Sequence, residues 1–422
     1  MPHSTVIIDH PEPGTNRRSG ACSESRNVTF DSRGARGQNL GMAGRQATVY
    51  HAVCAEISAE RLETLRVLRE RTASTCRVRV VHVGGGKAAD GLPLHARVQM
   101  PLQYGWLATP TLSSLAATDD PYIVHVWSSR ALAWAASHTG AGYAPGGAPR
   151  ALLVQADSYV DLPRLARWWR SLKDRTNTHF VCPTAISRRR LVEVGVAAND
   201  AVLIRDSLDF GALNSADAAG LRKRLGLTPS DTVVLVLPPV TRAAGSINAT
   251  WAALVLQKVL PGVRVLVPGD GRETRRINRL VRSTVEDGVT RFDRGRLTFA
   301  ELMAASDLAV FVPAGDAPVG GLVWAMGAGV PIVGSAVPAV TELLAHGHNA
   351  WLCRPNDPKD ATRRMLQALE RKEEARRLAE TARAQAFKAF GRQRMVEQYE
   401  AVYANLLAGR RVGEGIGDST MV

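Results

Sequence analysis

The residues best suited to chemistry lie mostly in the second half of the chain, and they suit an anionic ligand. Arg242 stands in Pro238-Pro-Val-Thr-Arg-Ala-Ala-Gly245, directly after the apolar run 232–237. A guanidinium binds phosphate oxygens through two parallel hydrogen bonds, so Arg242 is a candidate phosphate partner; the alternative is an exposed loop arginine. Gly245 ends that loop. After a second apolar run, 263–267, comes Gly269-Asp270-Gly271, which lets the backbone turn tightly before a helical segment. That segment carries Arg272, Arg275, Arg276, Arg279 and Arg282, with Ile277, Leu280 and Val281 on the other side. Arg272 is the first of these that could reach a phosphate, and a solvated basic face accounts for the rest.

Three other positions are candidates for acid, base or hydrogen-bond work. Asp316 lies in the loop after the apolar run 307–312, and Glu342 lies near a helix terminus in Pro338-Ala-Val-Thr-Glu342. His125 ends the strand-like run Ile123-Val-His125-Val-Trp127, where it is either an acid–base group or a structural histidine. Trp324 can only donate a hydrogen bond, so it packs or stacks. Gly84-Gly-Gly-Lys87 is not a phosphate-binding P-loop, because it lacks the leading glycine and a Ser or Thr after the lysine.

The 422 residues, 45% of them hydrophobic, suffice for two domains of ordinary size. No apolar run approaches the roughly 18 to 20 residues of a membrane span, and Met1 is not followed by a signal-like segment. A cytoplasmic protein is expected. The five cysteines are scattered and never at Cys-x-x-Cys spacing, which reads as reduced thiols and no metal site. The formal charge of +14 is spread along the chain. It favours nucleotide diphosphates, anionic lipid or nucleic acid, or else is a solvated basic surface. No aromatic-interleaved basic motif is present, so nucleic acid is not expected as a partner.

Short apolar runs alternate with amphipathic segments from Ala47 onward, the pattern of parallel sheets covered by helices. The runs 48–54, 77–83, 122–126, 151–155, 179–182 and 201–204 form one set, with a helix predicted over 56–71 on Ile57, Leu62, Leu65 and Leu68. After a polar stretch, 214–229, a second set follows at 232–237, 263–267, 289–292, 307–312, 332–333 and 350–352. Residues 357–408 read as helix, with Met395, Tyr399 and Tyr403 at helical spacing. The expected organisation is a disordered extension (1–45), an N-terminal Rossmann-like domain (46–212), a C-terminal Rossmann-like domain (213–390), a helix (391–408) and a tail (409–422).

Residues 306–355 resemble the C-terminal domain of retaining GT-B glycosyltransferases. The turn Ala325-Met-Gly-Ala-Gly-Val-Pro331 matches that family, with Asp316 and Trp324 at the positions of its two acidic residues. The resemblance implies an α/β GT-B fold: two Rossmann-like domains facing across a cleft, with a C-terminal helix returning to the first. It implies transfer of a sugar from a nucleotide-sugar substrate with retention, without metal or cofactor, to an acceptor such as a glycan or lipid and with possible peripheral membrane contact. It assigns Arg242, Gly245, Gly269, Asp270, Gly271, Arg272 and Glu342 to donor binding, and Asp316 and His125 to the catalytic centre. The family's polar residues are missing at Trp127, Pro239, Ala244 and Trp324, so a degenerate GT-B protein serving as a binding or scaffolding partner is the alternative.

Overall fold

The computed structural model describes residues 47–54, 59–84, 94–98, 121–127, 131–132, 134–135, 150–156, 169, 177–268, 271, 273–284, 289–292 and 297–414. Within them are two parallel sheets. The first contains β1 (Thr48–Val53), β2 (Arg77–Val83), β3 (Ala96–Val98), β4 (Tyr122–Val126), β5 (Arg150–Gln155), β6 (Thr178–Cys182) and β7 (Ala201–Leu203). The second contains β8 (Thr232–Val236), β9 (Val263–Pro268), β10 (Val289–Phe292), β11 (Leu308–Phe311), β12 (Ile332–Ser335) and β13 (Trp351–Cys353). The orders are β3-β2-β1-β4-β5-β6-β7 and β10-β9-β8-β11-β12-β13. The strand order of each sheet therefore reverses once, between β1 and β4 and between β8 and β11, as in a doubly wound Rossmann sheet.

The strands form where the sequence is apolar without alternation, because both faces of each central strand are buried. Val233, Val234, Leu235 and Val236 of β8 are all buried, and they divide between two cores by parity. Val233 and Leu235 join the core on one face, and Val234 and Val236 the core on the other. The short strand β3 is an addition to the expected set.

Helices cover the sheets: α1 (Ala59–Arg71), α2 (Ala185–Glu193), α3 (Phe210–Ser215), α4 (Ala218–Arg224), α5 (Ser246–Val259) and α6 (Thr274–Thr284). Then follow α7 (Phe299–Ala304), α8 (Gly320–Ala328), α9 (Pro338–Thr341), α10 (Pro358–Glu370), α11 (Lys372–Ala389) and α12 (Arg392–Leu407). The helical stretch expected over 357–408, with its last helix from 391, is three helices. Asp357 caps α10 by accepting the Asp360 N–H at 2.9 Å, and the chain breaks at Arg371 (φ −98°, ψ 62°). It breaks again near Gly391, because the Phe390 carbonyl accepts the Leu208 N–H at 2.9 Å instead of continuing a helix. Arg392 binds Asp209 at 2.8 Å and Glu63 at 3.1 Å, which ties the two interdomain connections together.

The last helix then packs on the first sheet. Met395, Tyr399, Val402, Tyr403 and Leu406 are buried with Val49, Ile123, Trp127 and Leu153. Burying each large apolar side chain stabilises the fold by about 1.5–3 kcal/mol, so this helix is bound firmly to the first domain. No helix among the described residues is long and apolar enough to cross a membrane.

Candidate functional site

The loops at the carboxyl ends of β8, β9, β11 and β13 enclose a pocket of about 480 Å³ lined by Arg242, Gly245, Asn248, Glu273, Arg276 and Asn356. It lies at the β8/β11 reversal, where doubly wound sheets bind ligands. Two neighbouring hydroxyls stitch the Arg242 loop. Thr241 Oγ1 accepts the Ala244 N–H at 3.2 Å, and Ser246 donates to the Pro239 carbonyl at 2.9 Å. Arg242 itself makes no ion pair among the described residues and is exposed.

Gly245 precedes α5 in the left-handed region (φ 66°), and a Cβ there would collide with the Val312 carbonyl. Only glycine meets both demands. Gly271 has φ 144° and bridges Val240, whose carbonyl would also meet a Cβ. These two glycines bring the loops of β8, β9 and β11 into contact and leave the first N–H groups of α5 beside the two arginines. Arg276 pairs with Glu273 at 3.3 Å and is 63% exposed, so one positive charge from Arg242 and the positive end of α5 are unbalanced. The pocket can hold an anion such as a diphosphate. Asn356, with φ 56°, and Asn248 add neutral hydrogen-bonding groups. Gly269, Asp270 and Arg272 lie outside the described residues.

The other expected donor-site carboxylates line the seam between the domains. Asp316 is buried and ion-paired with Arg190 of α2. Glu342 is turned to the first domain: it accepts the Ala185 and Ile186 N–H groups at 2.8 and 3.3 Å and pairs with Arg205 at 2.8 Å. Its expected donor-binding role is corrected accordingly, because helix α2 and Arg205 engage both its oxygens. Trp324 stacks on Phe299 at 5.5 Å and 18° and borders a small crevice with Glu63, Asp206 and Ser207. Ala244 is buried in the core with Leu237, Ala317 and Leu322, so it adds no polar group to the pocket.

His125 is a second correction. It has no exposed surface and lies between β4 and α12, its Nδ1 2.9 Å from the Tyr403 hydroxyl. Its ring is 4.4 Å from Trp127, whose indole N–H donates to His51 Nδ1 at 3.0 Å. Burial first, then the neighbouring His51, pushes His125 well below the usual imidazole range, and burial pushes His51 down to about 3. A neutral histidine sealed in the core cannot exchange protons with a substrate. The strand-end position was legible, but the tyrosines of α12 that cover it come from the far end of the chain.

The residues that sequence reasoning missed are Arg190, Arg205, Asn248 and Asn356. Arg190 stands in the run Arg188-Arg-Arg190, and nothing local marks which of the three reaches Asp316. Among the described residues no group of His, Cys, Asp and Glu side chains is placed to hold a metal ion. Cys54, Cys76, Cys182 and Cys353 are buried free thiols.

The two sheets, their order and the returning helix define the GT-B class of fold. Residues 243–371 match the family described as glycosyl transferases group 1. N-acetyl-alpha-D-glucosaminyl L-malate synthase of Bacillus anthracis is 29% identical over 202 residues, 47% of this chain and 52% of that protein. The match thus spans about half the length of that curated relative. Anabaena HepE in complex with UDP and glucose superimposes with a TM-score of 0.68 at 19% identity, covering 85% of this chain and 99% of that one. Sucrose-phosphate synthase from Thermosynechococcus elongatus has a TM-score of 0.68 at 17% identity, covering 86% and 100%.

Proposed function

We propose that the chain is a nucleotide-sugar-dependent glycosyltransferase whose second domain holds the donor diphosphate. The observation that carries this reading is the pocket at the β8/β11 reversal, where Arg242 meets Arg276 and the N-terminus of α5, the last two inside the segment that matches glycosyl transferases group 1 and Arg242 immediately before it. Leaving-group charge develops on the diphosphate as the glycosidic bond breaks, and fixed positive groups stabilise it without a metal. The GT-B resemblance further suggests retention, with the departing phosphate assisting attack on the same face of the sugar. UDP is the first donor nucleotide to test, because HepE is described with UDP and with UDP-glucose. The acceptor is taken to be a glycan or lipid met on the cytoplasmic side, with the basic surface favouring an anionic membrane.

Turnover with mixed nucleotide sugars, read as released nucleoside diphosphate and as the anomeric configuration of the product, tests this directly. Release with a retained anomer is expected, and no release with any donor would remove the enzymatic reading. One observation favours the alternative of a degenerate binding protein: Glu342 is engaged and Ala244 and Trp324 replace polar groups. Nucleotide binding without turnover would select it.

A further inference from the structure

Among the described residues the backbone enters the left-handed region at eight glycines and at one other residue, Asn356, with φ 56°. That residue lines the pocket at the β8/β11 reversal. A side chain held in this region costs energy that glycine avoids. The Asn356 side chain does nothing for the turn that carries it. Arg354 and Asp357 pair across the turn at 2.8 Å, the Asp357 N–H donates to the Arg354 carbonyl at 3.3 Å, and Asp360 accepts the Arg354 N–H at 2.9 Å. The Asn356 carboxamide makes no hydrogen bond among the described residues and is exposed to the pocket. Glycine would serve this turn as well, so the fold alone does not account for the asparagine. The other carboxamide of the pocket, Asn248, is likewise unengaged among the described residues, although it is half-buried in the first turn of α5, where asparagine is a poor helix former.

A cavity of about 480 Å³ is of the size that encloses a whole small ligand. Arg242, Arg276 and the start of α5 suit a diphosphate, whereas two unengaged carboxamides suit a neutral group. Each carboxamide sets a donor beside an acceptor, which matches the edge of a nucleobase in two parallel hydrogen bonds. We infer that Asn356, supported by Asn248, is a specificity-determining residue that reads the nucleobase of the donor. This rests on the nucleotide-sugar reading above and adds to it the place where the base is selected. The diphosphate, held at Arg242 and Arg276, does not depend on Asn356.

The test titrates the full-length protein by calorimetry with UDP, GDP, ADP and inorganic pyrophosphate. In Asn356→Gly the tightest of the three nucleotides should bind roughly five- to tenfold more weakly, the loss of one neutral pair of hydrogen bonds. Pyrophosphate affinity should stay within about twofold, and the preference among the three bases should shrink. Asn248→Ala should show the same pattern to a smaller degree. The melting temperature of Asn356→Gly should be no lower than that of the unaltered protein, since the backbone strain is relieved. Unchanged nucleotide affinity in Asn356→Gly, or an equal loss for nucleotide and pyrophosphate, would overturn the inference while leaving the nucleotide reading intact. If no nucleoside diphosphate binds the unaltered protein, the nucleotide reading fails and the inference with it.

Discussion

Arg242 is carried at the tip of a loop whose backbone is tied down by Thr241 and Ser246, so only its side chain has to be ordered on meeting a phosphate. Arg242→Ala should weaken nucleoside diphosphate binding by about 2 kcal/mol, the cost of losing a charged hydrogen bond, which is roughly thirtyfold in Kd. Arg276→Ala should cost only a few-fold by the same titration, since that arginine is exposed and already shares its charge with Glu273. Gly245 acts through the backbone. Gly245→Ala forces a side chain into a left-handed position and onto the Val312 carbonyl, and should lower stability by about 1–3 kcal/mol in denaturant titrations. Arg242 and Gly245 were legible in the sequence because both lie immediately beyond an apolar strand. Asp316 and Glu342 were legible as carboxylates, but their partners Arg190, Arg205 and the start of α2 are remote in the chain, and no local spacing announces such pairs.

Helix α12 carries the clearest consequence at the level of an element. Its Tyr403 and Tyr399 cover His125, and Tyr403 and Trp127 flank His51. Tyr403→Phe removes the hydrogen bond to His125 and should cost about 1 kcal/mol; Tyr399→Ala leaves a core cavity and should cost about 3–5 kcal/mol, both read by chemical denaturation. Both histidines bind protons less readily folded than unfolded. Their contribution is therefore fully present above the ordinary value of 6.5 and is lost as the pH falls below it, toward about 3 for His51. Each histidine should steepen the acid loss of stability by up to about 1.4 kcal/mol per pH unit. Denaturation between pH 7 and 4 should show His51→Gln with a shallower loss, and parallel curves would contradict it.

The elements themselves were largely readable: strands such as β8 and β11 coincide with apolar runs, because central parallel strands are buried on both faces. The boundary at Gly391 was read from the sequence, but its cause, the pairing of Phe390 with Leu208, was not, and neither was the break at Arg371. The short edge strand β3 offers too few residues for any periodicity.

For the molecule as a whole, two doubly wound domains set a cationic pocket at the reversal of the second sheet and a tightly paired seam beside it. The net charge of +14 draws anionic ligands toward both, an attraction that salt screens over about 10 Å at 0.1 M. A ligand that binds only the folded state should also raise the melting temperature, stabilising by about 2.7 kcal/mol at a hundredfold excess over Kd. The most direct measurement is calorimetric titration of the full-length chain with UDP, GDP and ADP in turn. Binding of at least one at a single site, weakened about thirtyfold in Arg242→Ala, is the expected result; heat from none of the three would contradict a nucleotide-sugar site in the second domain.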